Sequence, residues 1–69
     1  MQVKAFKQLT IMHSVEHWTE LRHPPGNDLH ALSGDRAGQY AIRVNRQWRL
    51  AFTPLDDGTM RDVELTDYH

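Results

Sequence analysis

The sequence predicts an α+β domain in which an antiparallel β-meander packs against an N-terminal helix. Three observations carry this. Residues 3–15 contain no Gly or Pro and repeat apolar side chains at helical spacing. Residues 40–53 hold two runs that alternate apolar and polar side chains, and Asp57-Gly58 marks a tight turn before a third run.

The helix comes first. Ala5, Leu9 and Met12 fall at i, i+4 and i+7 with Phe6 alongside, while Ile11, Val15 and Trp18 form a second stripe. Apolar surface on two sides means that the helix is sandwiched or lacks a cover. Pro24-Pro25-Gly26-Asn27 ends the helical region, because proline disfavours helix at the residue before it. Leu29–Leu32 reads as a short strand and residues 33–38 as a loop.

The register of the remaining strands follows from face matching, since directly opposed side chains of an antiparallel pair lie on one face. Pairing Val44 with Trp48 sets Ile42 against Leu50, Tyr40 against Phe52 and Arg43 against Arg49. A two-residue Asp57-Gly58 turn pairs Asp56 with Thr59, then Phe52 with Val63, Leu50 with Leu65 and Arg49 with Thr66. The strands are thus expected at 40–44, 48–53 and 61–66.

Composition narrows the function. A chain of 69 residues is one small domain with a thin core, and a formal charge of −1 excludes a uniformly basic nucleic-acid glove. The absence of cysteine excludes disulfides and thiolate chemistry and makes a reducing cytoplasm the expected home. No apolar run is long enough for a membrane span. Charge is nonetheless segregated. Arg36, Arg43, Arg46 and Arg49 fall in one fourteen-residue window without an acid, and residues 50–69 hold five acids against Arg61.

The Arg43/Arg49 pair is unfavourable unless an anion or nearby acids, such as Glu64 and Asp62, neutralise it. A guanidinium pair beside a phenol and imidazoles suits metal-free phosphodiester cleavage of RNA, in which the 2′-hydroxyl is the nucleophile. Arg49 and Arg43 are candidate cations, and His30, Tyr68, His69 and Asp67 candidate proton carriers; ordinary cross-strand ion pairing is the competing reading. His13 and His17 have a spacing that can bind zinc, but no third ligand is placed and a structural role is expected. Trp18 and Trp48 are expected in the core.

The stretch from Pro24 to Leu50, PPGNDLHALSGDRAGQYAIRVNRQWRL, and the ending Val63-Glu64-Leu65-Thr66-Asp67-Tyr68-His69 closely resemble HigB-type toxins of the RelE/ParE superfamily. The resemblance covers roughly residues 20–69. It implies a RelE-like microbial ribonuclease fold over a single domain, 1–69, and ribosome-dependent cleavage of mRNA without a cofactor or metal. It also implies neutralisation by a helix-turn-helix antitoxin of HigA type. Carried over by position, Arg49 matches the phosphate-binding arginine, Asp67 and Tyr68 the C-terminal catalytic pair, and His30 and His69 further site positions. Arg36, Arg43, Arg46 and Ser33 are the expected RNA-binding positions. Many active relatives have lysine where this chain has Ser33, which leaves Arg36 or Arg43 to compensate.

The start departs more. Members of the family open with a strand and two helices before the Pro-Pro-Gly turn, and this chain has room for about half of that. Residues 4–21 are expected to be the second helix and a short continuation; the other alignment makes residues 1–7 the opening strand. In either case the helical layer is reduced, and a homodimer through the N-terminal helix, or exchange of that helix between protomers, is the expected means of covering it; a shortened, non-catalytic homologue that binds an antitoxin or itself is the alternative to an active interferase.

Overall fold

The computed structural model describes residues 2–23 and 25–67. Helix α1 (Gln2–Ser14) leads into a 3-10 turn over Trp18–Arg22, followed by strands β1 (His30–Ala31), β2 (Tyr40–Arg43), β3 (Trp48–Pro54) and β4 (Met60–Asp67). The strands form one antiparallel sheet in the order β1-β2-β3-β4, a meander throughout. The predicted α+β class is therefore the observed one. Residues 2–7 are helical, so the alignment that made them an opening strand is not the one the chain adopts.

The helical region breaks where local hydrogen bonding favours a new start. His17 caps the 3-10 turn: its ring Nδ1 accepts from the Thr19 backbone N–H at 3.3 Å, and the Glu20 carboxylate accepts from the His17 N–H at 3.0 Å. This reciprocal arrangement satisfies donors that the turn leaves open.

The register between β2 and β3 is the one face matching requires: Tyr40 opposes Phe52, Ile42 opposes Leu50 and Arg43 opposes Arg49. Between β3 and β4, Leu50 opposes Leu65 and Arg49 opposes Thr66, as expected. The turn joining them differs. Leu55 donates to the Thr59 carbonyl at 2.9 Å, so three residues, Asp56-Asp57-Gly58, form the loop, with Gly58 at φ 91°. Farther along, the pairing is Thr53 with Arg61 and Pro54 with Met60, and an irregularity lies between Ala51 and Thr53. Two residues of β4, Asp62 and Val63, stand opposite Phe52 alone, and Asp62 has φ 54°. This bulge restores the register that the longer loop had shifted.

Leu21, Ile42, Val44, Leu50, Phe52 and Met12 form the buried apolar cluster, with Trp18 and Trp48 packed against it as expected for core residues. Trp18 lies 4.6 Å from the Tyr40 ring and 6.1 Å from the Phe52 ring. On α1, the Leu9 side of the expected stripe is not the buried one. Gln8 and Met12 are buried, while Phe6, Leu9 and Ile11 remain 70%, 42% and 38% exposed. Gln8 is held inward because its amide donates to the Arg43 carbonyl at 2.9 Å and to Asn27 Oδ1 at 3.2 Å. No helix among the described residues is long and apolar enough to cross a membrane.

Candidate functional site

The outer, polar face of the sheet is made by alternate residues of β3 and β4, because successive side chains of a strand point to opposite faces. Arg49 stands on this face, opposite Thr66 on β4 and Arg43 on β2, while its neighbours Trp48 and Leu50 turn to the other side. A cavity of about 420 Å³ opens here, lined by His30, Arg36, Arg49, Glu64, Thr66 and Asp67 among others. Residues from β1, β3, β4 and the loop after β1 thus converge on one concave surface.

Local structure fixes Arg49, Arg36 and His30. Arg49 is half-buried, and its guanidinium donates to the Asn45 carbonyl at 3.0 Å, tying it to the turn between β2 and β3. Asn45 shapes that turn, since its side-chain oxygen accepts from the backbone N–H groups of Gln47 and Trp48, both at 2.9 Å. The Thr66 hydroxyl donates to the Arg49 carbonyl at 3.4 Å.

Arg36 ends a 3-10 turn over Gly34–Arg36 that begins with Gly34 at φ 64°. Its guanidinium donates to Gln39 Oε1 at 3.0 Å and makes an ion pair of 3.2 Å with Glu64. Gln39 in turn donates to the Thr53 hydroxyl at 3.1 Å. Arg36 is thereby braced against the sheet by two of its neighbours.

His30 lies at the edge of the sheet opposite Ala41. Its Nδ1 is 2.7 Å from the Asp28 carbonyl oxygen. A carbonyl only accepts, so Nδ1 carries the proton and, in the neutral ring, Nε2 is the basic nitrogen. Asp28 adopts φ 51°, a conformation tolerated best by Asp and Asn among residues with a side chain. That conformation turns its carbonyl toward the imidazole.

Of the residues expected at the site, His30, Arg36, Arg49 and Asp67 line one cavity. Arg43, exposed on β2 beside Arg49, Arg46 in the following turn, and Ser33 in the loop are not among its lining residues. Tyr68 and His69 lie outside the described residues. The acids expected to neutralise the arginine pair are engaged elsewhere: Glu64 pairs with Arg36, and Asp62 with its neighbour Arg61 at 3.6 Å. No group of three or more His, Cys, Asp or Glu able to hold a metal occurs among the described residues.

Glu64 and Thr66 enter the cavity without having been singled out as site residues. Their alternate positions on β4, on the Arg49 face, were the available signal.

The site's cations come from separate elements and face a cleft that also holds an imidazole and carboxylates. Such a set can bind a phosphate, take a proton and return one. Comparison with known proteins gives the same direction. A family model described as RelE-like toxin of type II toxin-antitoxin system HigB matches residues 1–69. Toxin HigB-1 of Vibrio cholerae serotype O1 (strain ATCC 39315 / El Tor Inaba N16961) is 41% identical over 51 residues, which are 74% of this chain and 54% of the relative. The chain therefore spans about half the length of the curated relative it matches.

Proposed function

The chain belongs to the HigB-like family of RelE-like toxins of type II toxin-antitoxin systems, and from that premise we propose that it is an mRNA endoribonuclease working on the translating ribosome. The observation that carries the reading is the convergence of Arg36, Arg49, His30 and Asp67 on one cavity.

In this reading the scissile phosphate sits on the Arg49 guanidinium, with Arg36 as the second cation. His30 Nε2 takes the proton of the RNA 2′-hydroxyl, which attacks the adjacent phosphorus to give a 2′,3′-cyclic phosphate. The departing 5′-oxygen receives a proton from the C-terminal group, Asp67, Tyr68 or His69. Fixed guanidinium groups offset the charge that grows on the phosphoryl oxygens, an effect worth most where the donors are already held in place. The bonds that Asn45, Gln39 and Glu64 make to the two arginines provide that fixation.

Arg43, Arg46 and Ser33 flank the cavity at the sheet surface and the adjoining loop, where they bind the RNA backbone outside the scissile linkage. The partner that restrains the toxin is an antitoxin of the helix-turn-helix, HigA type, and the setting is the cytoplasm, where mRNA and ribosomes meet.

Primer extension on mRNA in a translating extract tests the proposal. Arg49→Ala lowers cleavage by roughly 10²–10³-fold, the loss typical of one transition-state donor, while the folded state persists. His30→Ala and removal of residues 67–69 act in the same direction. Cleavage that survives all three changes places the chemistry elsewhere. An absence of cleavage by the parent chain overturns the enzymatic reading and leaves a toxin homologue that binds without cutting.

A further inference from the structure

Glu64 lines the arginine cavity and has no role in the chemistry described above. It stands on β4 opposite Ala51 of β3, which opposes Ala41 of β2, which in turn opposes His30 of β1. Along this row of the sheet nothing larger than a methyl group separates the Glu64 carboxylate from the imidazole edge. Arg36 uses that space: from the loop after β1 it reaches over β2 and β3 to end 3.2 Å from Glu64.

The two contacts that hold Arg36 differ in kind. Its Nη1 donates to Gln39 Oε1 at 3.0 Å, and Gln39 is itself tied to the Thr53 hydroxyl at 3.1 Å, so a neutral amide anchored on β3 orients the guanidinium. Its Nη2 donates to Glu64, which is an anion. The Arg36 and Glu64 side chains are 40% and 58% exposed, and an ion pair open to water to that degree is weak. Carboxylates and phosphates bind the planar edge of a guanidinium in the same manner. A phosphate that approaches Arg36 therefore displaces Glu64 or lies beside it with like charges in contact, which opposes binding.

We propose that Glu64 is an internal stand-in for the phosphate. It keeps Arg36 extended over the sheet until a phosphate of the RNA backbone replaces it on Nη2, while Gln39 retains Nη1 throughout. This deepens the reading of Arg36 as the second cation of the site and rests on it. The exchange also makes Glu64 a specificity-determining residue. A small phosphate compound must overcome the exchange alone, whereas RNA has further cationic contacts at Arg43 and Arg46 to offset it. The cavity thereby discriminates against small phosphates in favour of the polymer.

Titration of inorganic phosphate into the isotope-labelled full chain, followed by NMR at constant ionic strength, reads the exchange without depending on cleavage. In the parent, the Glu64 carboxyl resonance shifts together with the backbone amides of the cavity. Glu64→Gln binds phosphate about 2–5-fold more tightly, the range expected when one exposed ion pair no longer competes. Asp62→Asn, which removes a β4 charge outside the cavity lining, leaves the affinity near the parent's. Arg36→Ala weakens binding, and in that background the gain from Glu64→Gln disappears, because the two residues act as one unit. A Glu64→Gln variant no tighter than the parent overturns the inference. So does a gain that persists without Arg36, which reduces Glu64 to diffuse repulsion, or a parent spectrum that phosphate leaves unchanged. Cleavage of mRNA by the parent alongside any of these results leaves the enzymatic reading standing, and an intact exchange in a chain that does not cleave separates the two the other way.

Discussion

Asn27 is 4% exposed and polar, and its position in the Pro-Pro-Gly-Asn turn gives it a structural task. Its amide nitrogen donates to the Leu21 carbonyl at 3.1 Å and the His23 carbonyl at 3.2 Å, and its oxygen accepts from Gln8. Gln8 continues the chain of bonds to the Arg43 carbonyl, at the end of β2. Helix, turn and sheet are therefore joined by two amide side chains in an otherwise apolar region. Removing one member leaves buried groups without partners, which costs more than the lost bonds themselves. Asn27→Ala should lower stability by about 1–3 kcal/mol, seen as a lower urea midpoint at unchanged slope. An unchanged midpoint would mean that water replaces the amide. Nothing in the periodicity of α1 announced this arrangement, because hydrophobic spacing assigns polar Gln8 to solvent. The Arg49 site was more legible: strand alternation placed it on the Thr66 face, residue chemistry offered His30 and Asp67 as proton carriers, and the resemblance matched both to site positions. Alternation gives a face and not a distance, which is why Arg43 shares that face and Arg46 its charged window while neither lines the cavity.

At the scale of elements, the β3–β4 hairpin shows how two local choices combine into one register. Asp-Gly commonly marks a two-residue turn, yet here Asp57 directs a three-residue loop. The Thr59 hydroxyl and backbone N–H donate to its carboxylate at 2.6 and 3.0 Å, and these bonds hold the Asp57 carboxyl below the usual carboxylate range. Gly58 completes the loop where a side chain would meet the His17 ring and lie 3.2 Å from the Glu16 carbonyl. The extra loop residue would put the apolar residues of β4 on the wrong face if the strand continued regularly. The bulge at Asp62 prevents this, so Leu65 still faces Leu50. The sequence pattern disclosed the final register through the apolar pairs but not the shift and its reversal, which cancel in any count of faces. Because Asp62 sits at φ 54°, Asp62→Val should cost about 1–2 kcal/mol, the penalty of left-handed backbone for an ordinary side chain. Asp62→Gly, free of that penalty, should remain close to the parent. Thermal melts of the two variants check the difference; equal losses would assign the effect to the Arg61 ion pair instead.

At the scale of the whole molecule, compactness and incomplete cover coexist. The radius of gyration is 11.1 Å, close to the roughly 11 Å expected of a globular chain this long. The buried apolar side chains among the described residues are nevertheless few, and Phe52, fully buried, is the largest. Phe52→Ala should cost about 3–5 kcal/mol, a large share of the about 5–15 kcal/mol available to ordinary domains. A thermal melt followed by far-UV CD should then show a midpoint lowered by at least roughly 10 °C.

A core this small makes external burial consequential, because any contact made only by the folded chain adds to its stability by mass action. Phe6, Leu9 and Ile11 on α1 and Val63 and Leu65 on β4 expose apolar surface that the other described residues do not cover. If a second copy covers it, folding and association are linked, and the melting temperature of the parent must rise with protein concentration. Ile11→Glu removes the association while leaving the buried cluster intact, so its melting temperature should be independent of concentration and lie at or below the parent's dilute limit. Calorimetric scans over a hundredfold range of concentration measure both. A parent midpoint that does not move over that range would mean that its stability comes from the single chain alone, and that the exposed apolar surface costs the fold nothing it needs to recover.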